Sequence, residues 1–153
     1  LKAEAYVKSG NATAAQAAYE TGVRQSAEFY FNVRKLSGDN TAGTAAALTT
    51  AELDAYLAQP AISWTAATTT AAKWTLIAYQ KWIHFNVVQS LENWAETRRL
   101  KLVKLTLKDD ATAQAKTPTR WFYPSGEGVY NVANYNAVKA NDNLSTKLFW
   151  DVR

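Results

Sequence analysis

The sequence predicts an all-α fold, helical hairpins followed by a long loop-rich carboxyl-terminal tail, on three observations. Apolar residues recur at three- and four-residue steps through most of positions 1–105, the period that gathers side chains on one helix face. Breakers fall between these stretches, at Gly10-Asn11, at Ser37-Gly38-Asp39-Asn40 and at Pro60. Past Leu102 the periodicity decays, and Pro118, Pro124 and Ser125-Gly126 punctuate the remainder, as turns and loops require.

The first two helices are expected at 1–9 and about 12–36, separated by Gly10-Asn11 as a helix stop and polar turn. In the second, Ala15, Ala18, Tyr19, Val23, Ala27, Tyr30 and Val33 or Arg34 form one stripe. The pattern Ala5-Tyr6, Gly10, Ala15, Tyr19 resembles a tetratricopeptide unit, in which small residues let two helices approach and a tyrosine fills the groove; independent stacks of this kind need at least three repeats. Residues 37–49, rich in Gly, Asn, Thr and Ala, read as a surface loop. Thr50 is expected to cap a short helix reaching about Gln59, with Leu53, Tyr56 and Leu57 on one face before Pro60 stops it. A further loop runs through Trp64. From 67 to 100 the stripe Leu76, Tyr79, Ile83, Val87, Leu91, Trp94 and Arg98 predicts one kinked helix or two consecutive ones breaking near Asn86 to Ser90. The helical part, 1–105, thus precedes a tail, 106–153, too irregular to build its own core and expected to wrap over other parts of the protein.

The 153 residues suit one domain, and we read 1–153 as a single one. The chain contains no methionine, and its opening Leu1-Lys2-Ala3-Glu4-Ala5-Tyr6 reads as the middle of an amphipathic helix, so the expectation is a piece of a longer protein. No secretory leader or membrane-spanning apolar run stands in it. The lack of cysteine excludes disulfides, thiolate metal sites and a cysteine nucleophile. A net charge of +4, from 17 basic and 13 acidic residues, is a small excess that favours nucleic acid only weakly. The sequons at Asn11 and Asn143 are too short to carry weight.

Catalysis finds little support. His84 is the sole histidine, mid-helix between Ile83 and Phe85, with no serine elbow or His-Glu-x-x-His motif in the chain. Glu92 and Glu96 lie four apart on one helix face, where acid–base work is conceivable, but Arg98 and Arg99 beside them make ion pairs the simpler expectation. Asp109-Asp110 lack the spaced ligands of a calcium loop. No metal and no cofactor is expected, and the chain is read as a non-enzyme. The basic run Arg98, Arg99, Lys101, Lys104 and Lys108, interleaved with leucines, reads as a solvated face rather than a phosphate-binding stripe. Six tryptophans, eight tyrosines and five phenylalanines suit a binder of glycans or peptides, since flat aromatic faces stack on sugar rings while Asn and Arg direct hydrogen bonds. Trp74, Trp82 and Trp94 are expected to pack helices together. Trp121, Phe122, Tyr123, Tyr130 and Tyr135 fall in the tail, where they either anchor it or reach a ligand; Trp121, Tyr123 and Tyr130 are the candidate ligand-binding residues.

Two segments, Ile77-Ala78-Tyr79-Gln80-Lys81-Trp82-Ile83 and Asn93-Trp94-Ala95-Glu96-Thr97-Arg98-Arg99, resemble the SusD/RagB family of outer-membrane nutrient-binding lipoproteins, in which Gln-Lys-Trp-Ile precedes Trp-x-Glu-x-Arg-Arg. Leu1-Lys2-Ala3-Glu4-Ala5, Tyr19-Glu20-Thr21-Gly22-Val23, Arg120-Trp121-Phe122-Tyr123-Pro124 with Glu127 and Asn131, Asp142-Asn143, and Lys147-Leu148-Phe149-Trp150-Asp151 are similar to further family segments in the same order. Where the family commonly has Arg-Arg-Thr-Gly-Tyr-Pro, this chain reads Arg98-Arg99-Leu100-Lys101-Leu102-Val103, without the glycine and proline that sharpen a turn. The resemblance implies the carboxyl-terminal part of a longer, mainly helical, surface-exposed lipoprotein of the outer membrane, its lipidated cysteine upstream. That protein would bind glycans or peptides without catalysis and deliver them to a SusC-like TonB-dependent transporter. The alternative is a tetratricopeptide-like scaffold that binds another protein.

Overall fold

The computed structural model describes residues 1–39, 41, 43–44, 46–86, 88–105 and 118–151; Asp109-Asp110, Lys108 and Val87 of the sequence reading lie outside them. The described residues form helices and connecting turns with no strand, as the periodicity predicts. They divide into two compact units, Leu1–Val103 and Lys104–Arg153.

In the first unit α1 (Lys2–Lys8) and α2 (Ala12–Ser37) form the expected hairpin. Gly10 takes the left-handed conformation, φ 76°, that other residues adopt only at a cost. Asn11 then caps α2, its side chain accepting the Ala14 amide at 3.1 Å, and left-handed Gly38 closes that helix. Ala15, Tyr19 and Val23 are buried, four residues apart, whereas Val33 and Leu36 farther along the same helix are exposed. The stripe is therefore a core face only in its first half.

The third helix, α3 (Thr50–Leu57), begins one residue earlier in register than the sequence suggested. Thr49, not Thr50, is the cap, since only Thr49 has a glutamate three residues on. Its hydroxyl accepts the Glu52 amide while the Glu52 carboxylate accepts the Thr49 amide at 2.7 Å, a reciprocal capping box. Tyr56 and Leu57 pack against the core.

The long periodic stretch resolves into two helices, α4 (Thr70–Phe85) and α5 (Ser90–Leu100). The break falls where expected, with Asn86 at φ 41°. The inward face of α4 differs from the predicted one. Ile77 and Ala78 are buried, while Tyr79 and Ile83 of the predicted stripe are exposed and Leu76 packs at the core's edge. The cause is Lys81, which turns inward to two carboxylates and rotates the helix away from its most apolar stripe.

The tryptophans also redistribute. Trp82 is exposed and Trp74 and Trp94 are half-buried; the core tryptophan is Trp64, in the connector between α3 and α4. It lies 5.3 Å from the Tyr19 ring centre, beneath the Lys73 ammonium. The Tyr19 hydroxyl donates to the Ile62 carbonyl at 2.8 Å, so one buried tyrosine holds the connector by its ring and by its hydroxyl. Burial pushes that phenol well above its ordinary range.

The turn after α5 forms without glycine. Lys101 itself takes the left-handed position, φ 53° and ψ 28°, and closes the helix through its amide to Thr97. The turn is thus made at the cost of placing a β-carbon in a conformation where glycine normally sits.

Among its described residues the second unit carries two short helices, α6 (Glu127–Tyr130) and α7 (Val132–Val138), and a 3-10 turn at Lys139–Asn141, joined by turns and irregular segments. None of its described residues is fully buried. Its described segments are joined by polar clamps.

Candidate functional site

An ion network joins three helices of the first unit. Glu4 of α1, buried at 7% exposure, accepts from Lys81 of α4 at 3.4 Å and from Arg99 of α5 at 2.7 Å. Glu96, one turn before Arg99, accepts from Nε and Nη2 of that guanidinium at 2.7 Å each and also from Lys81. The Arg99 fork, with Lys81 assisting, holds the Glu96 carboxyl down at about 2, and Glu96 first and Glu4 second push the guanidinium up. Glu96 is therefore occupied as a structural anion, as the neighbouring arginines led us to expect, while Glu92 stands exposed. Arg98 lies with its guanidinium 5.7 Å from the Trp94 ring centre. The residues Lys81, Glu96 and Arg99 that carry the family resemblance are thus architectural.

A groove of about 890 Å³ opens among α1, α2 and α4, lined in part by Tyr6, Tyr19, Phe29, Ile77, Lys81 and His84. His84 is held structurally. Its Nδ1 lies 2.8 Å from the Ser26 hydroxyl, its carbonyl accepts the Tyr30 hydroxyl, and its ring packs among Phe29, Tyr30 and Phe85. Ser26 and His84 stand 58 positions apart, so no local spacing announces the pair. Among the described residues no three His, Asp or Glu side chains gather as metal ligands.

The sequence-predicted ligand residues lie in the second unit, and the structure treats them differently. Trp121 is 80% and Tyr130 91% exposed, with Phe122 also exposed. Tyr123 is half-buried: the Arg120 guanidinium covers its ring at 4.6 Å and Tyr135 meets it edge-on at 6.4 Å. Tyr123 and Tyr135 accordingly act as anchors, and Trp121 and Tyr130 present free aromatic faces.

Asp142 ties these pieces together. One oxygen accepts the Tyr123 amide at 2.8 Å and the other the Tyr135 hydroxyl at 2.7 Å. The Tyr123 amide first, then the Tyr135 hydroxyl, hold its carboxyl below the usual range, and Arg120 assists; the same bond raises the Tyr135 phenol. Thr119 forms a second clamp, its amide donating to the Leu144 carbonyl at 2.8 Å and its hydroxyl lying within reach of the Leu144 and Thr146 carbonyls at 3.1 and 3.2 Å. The loop that receives it is itself shaped by Asn143, whose Oδ1 accepts the Ser145 and Thr146 amides at 3.0 and 2.8 Å. Both sequon asparagines, Asn11 and Asn143, thus spend their side chains on local structure. The role of Asp142 is not legible in the sequence, because Asp142 meets partners 19 and 7 positions away; the resemblance of Asp142-Asn143 to a family segment is the signal that marks it.

A family model of SusD-like proteins, described as starch-binding and associating with the outer membrane, matches residues 1–124. The match takes in the ion network, Trp121 and Tyr123. No match is found among curated proteins or among solved structures.

Proposed function

The chain belongs to the SusD-like family, and from that premise we propose that it captures glycans at the outer cell surface, without catalysis, and passes them to a SusC-like TonB-dependent transporter. The family's members are binding proteins. The single observation that carries the reading to this chain's own residues is the exposure of Trp121, 80% free, in a stretch the family match includes. An aromatic plane of this size is costly to leave in water and suited to the apolar face of a hexose. Tyr130 offers a second plane, with a hydroxyl for directional bonding, and Tyr123 supports the strip from below. Peptides are the other ligand class such faces accept.

No helix among the described residues is long and apolar enough to cross a membrane; attachment is proposed through a lipid on an upstream cysteine. The test is titration of the full-length protein with malto-oligosaccharides and with a peptide library. We expect saturable glycan binding that weakens about tenfold in Trp121→Ala, the order of one aromatic stacking contact. Saturable binding to neither class by a folded protein refutes the reading.

A further inference from the structure

We propose that Asp142 is a positioning residue of the ligand surface, pre-organising the Trp121 platform; the proposal rests on the reading that Trp121 meets the glycan. The strip Thr119–Tyr123 is held at both ends. Thr119 is bound through its amide and hydroxyl to the loop at Leu144 to Thr146, and the Tyr123 amide is bound to the Asp142 carboxylate at 2.8 Å. Trp121 sits midway between these clamps, its carbonyl accepting Arg120 Nε at 3.2 Å, yet its side chain is 80% exposed. An exposed indole on a backbone fixed at both sides loses little freedom when a ligand stacks on it, which is how pre-organisation raises affinity without new contacts.

Asp142 suits this role better than a neutral residue in the same place. Its two oxygens face different elements, one the Tyr123 amide and the other the Tyr135 hydroxyl of α7, so one carboxylate sets the strip against the helix. Bonds to an ionised acceptor are shorter and stronger than neutral ones. Arg120, whose guanidinium lies over the Tyr123 ring, adds favourable charge from the strip's own side.

The experiment is a double-mutant cycle on the full-length protein, with maltoheptaose binding followed by calorimetry and fold checked by circular dichroism. Asp142→Ala is expected to weaken binding about fivefold, the order of one lost ordering contribution. Asp142→Asn keeps an acceptor for the Tyr123 amide but loses the charge and the acceptor for the Tyr135 hydroxyl, so it should fall between wild type and Asp142→Ala. Tyr135→Phe keeps the ring and loses only the hydroxyl bond, so it should fall between wild type and Asp142→Asn. In the Trp121→Ala background Asp142→Ala is expected to cost less than about twofold more, because a residue acting through Trp121 has nothing left to position. Asp142→Ala and Tyr135→Phe binding as wild type while Trp121→Ala is weakened, or full additivity of the two alanine substitutions, overturns the proposal and leaves the ligand surface standing. Unchanged binding in Trp121→Ala overturns that surface and the proposal with it.

Discussion

Lys81 shows how one side chain decides the face of a helix. Its side chain is 13% exposed and its ammonium is shared between Glu4 and Glu96; its removal would leave two carboxylates with Arg99 alone, among the described residues, to compensate them. Breaking an ion network of this burial by deleting one partner is costly because the remaining charges stay desolvated. Lys81→Met is therefore expected to destabilise the protein by about 3 kcal/mol, read from denaturant unfolding; a loss under about 1 kcal/mol would mean that the network contributes no more than a surface pair. The network also sets an acid limit. Glu96 titrates near 2 in the folded protein against an ordinary 4.5, so its contribution is fully present above that ordinary value and is lost as pH falls towards about 2. Wild type should lose stability through this window more steeply than Glu96→Gln, and parallel curves for the two proteins would remove Glu96 as the source.

At the scale of the element, α5 ends on an uncommon residue. Lys101 in the left-handed region carries a strain that glycine avoids, on the order of 1 kcal/mol. Lys101→Gly should raise stability by up to about 1 kcal/mol less the contribution of the lysine side chain, and a lowered midpoint would show that the side chain's interactions outweigh the strain. Element boundaries were readable in the sequence for reasons of this kind. Gly10, Asn11 and Gly38 have conformational or capping preferences that act locally, and they stand where α1 and α2 stop and start. The inward face of α4 was not readable, because counting apolar residues assigns Lys81 to solvent, and only the carboxylates of Glu4 and Glu96, 77 and 15 positions away, reverse that. Trp64 escaped for a related reason: a tryptophan in a connector has no period, and its burial depends on Tyr19 receiving it. Of the candidate site, the exposed aromatics followed from composition in an irregular tail, whereas the clamp at Asp142 depends on a tertiary meeting that no spacing encodes.

Over the molecule as a whole, the family assignment and the helical architecture agree, and Lys81, Glu96 and Arg99, three of the residues behind the resemblance, hold the first unit together. That unit is assembled from near-neighbour pairs, α1 on α2 and α4 on α5, each joined by a short turn. The network is different in reach: Glu4 and Arg99 lie 95 positions apart. Bringing such distant points together carries a loop-closure cost that local hairpins escape, so the ion network should complete itself after the rate-limiting step of folding, once the hairpins have docked. A contact absent from the transition state slows escape from the native state without hastening arrival. In stopped-flow experiments Glu4→Gln should steepen nothing on the refolding limb and lift the unfolding limb alone; slower refolding would place the network in the folding nucleus. On this view Glu4, Lys81, Glu96 and Arg99 govern how long the folded protein endures once formed, and so set its lifetime rather than its speed of assembly.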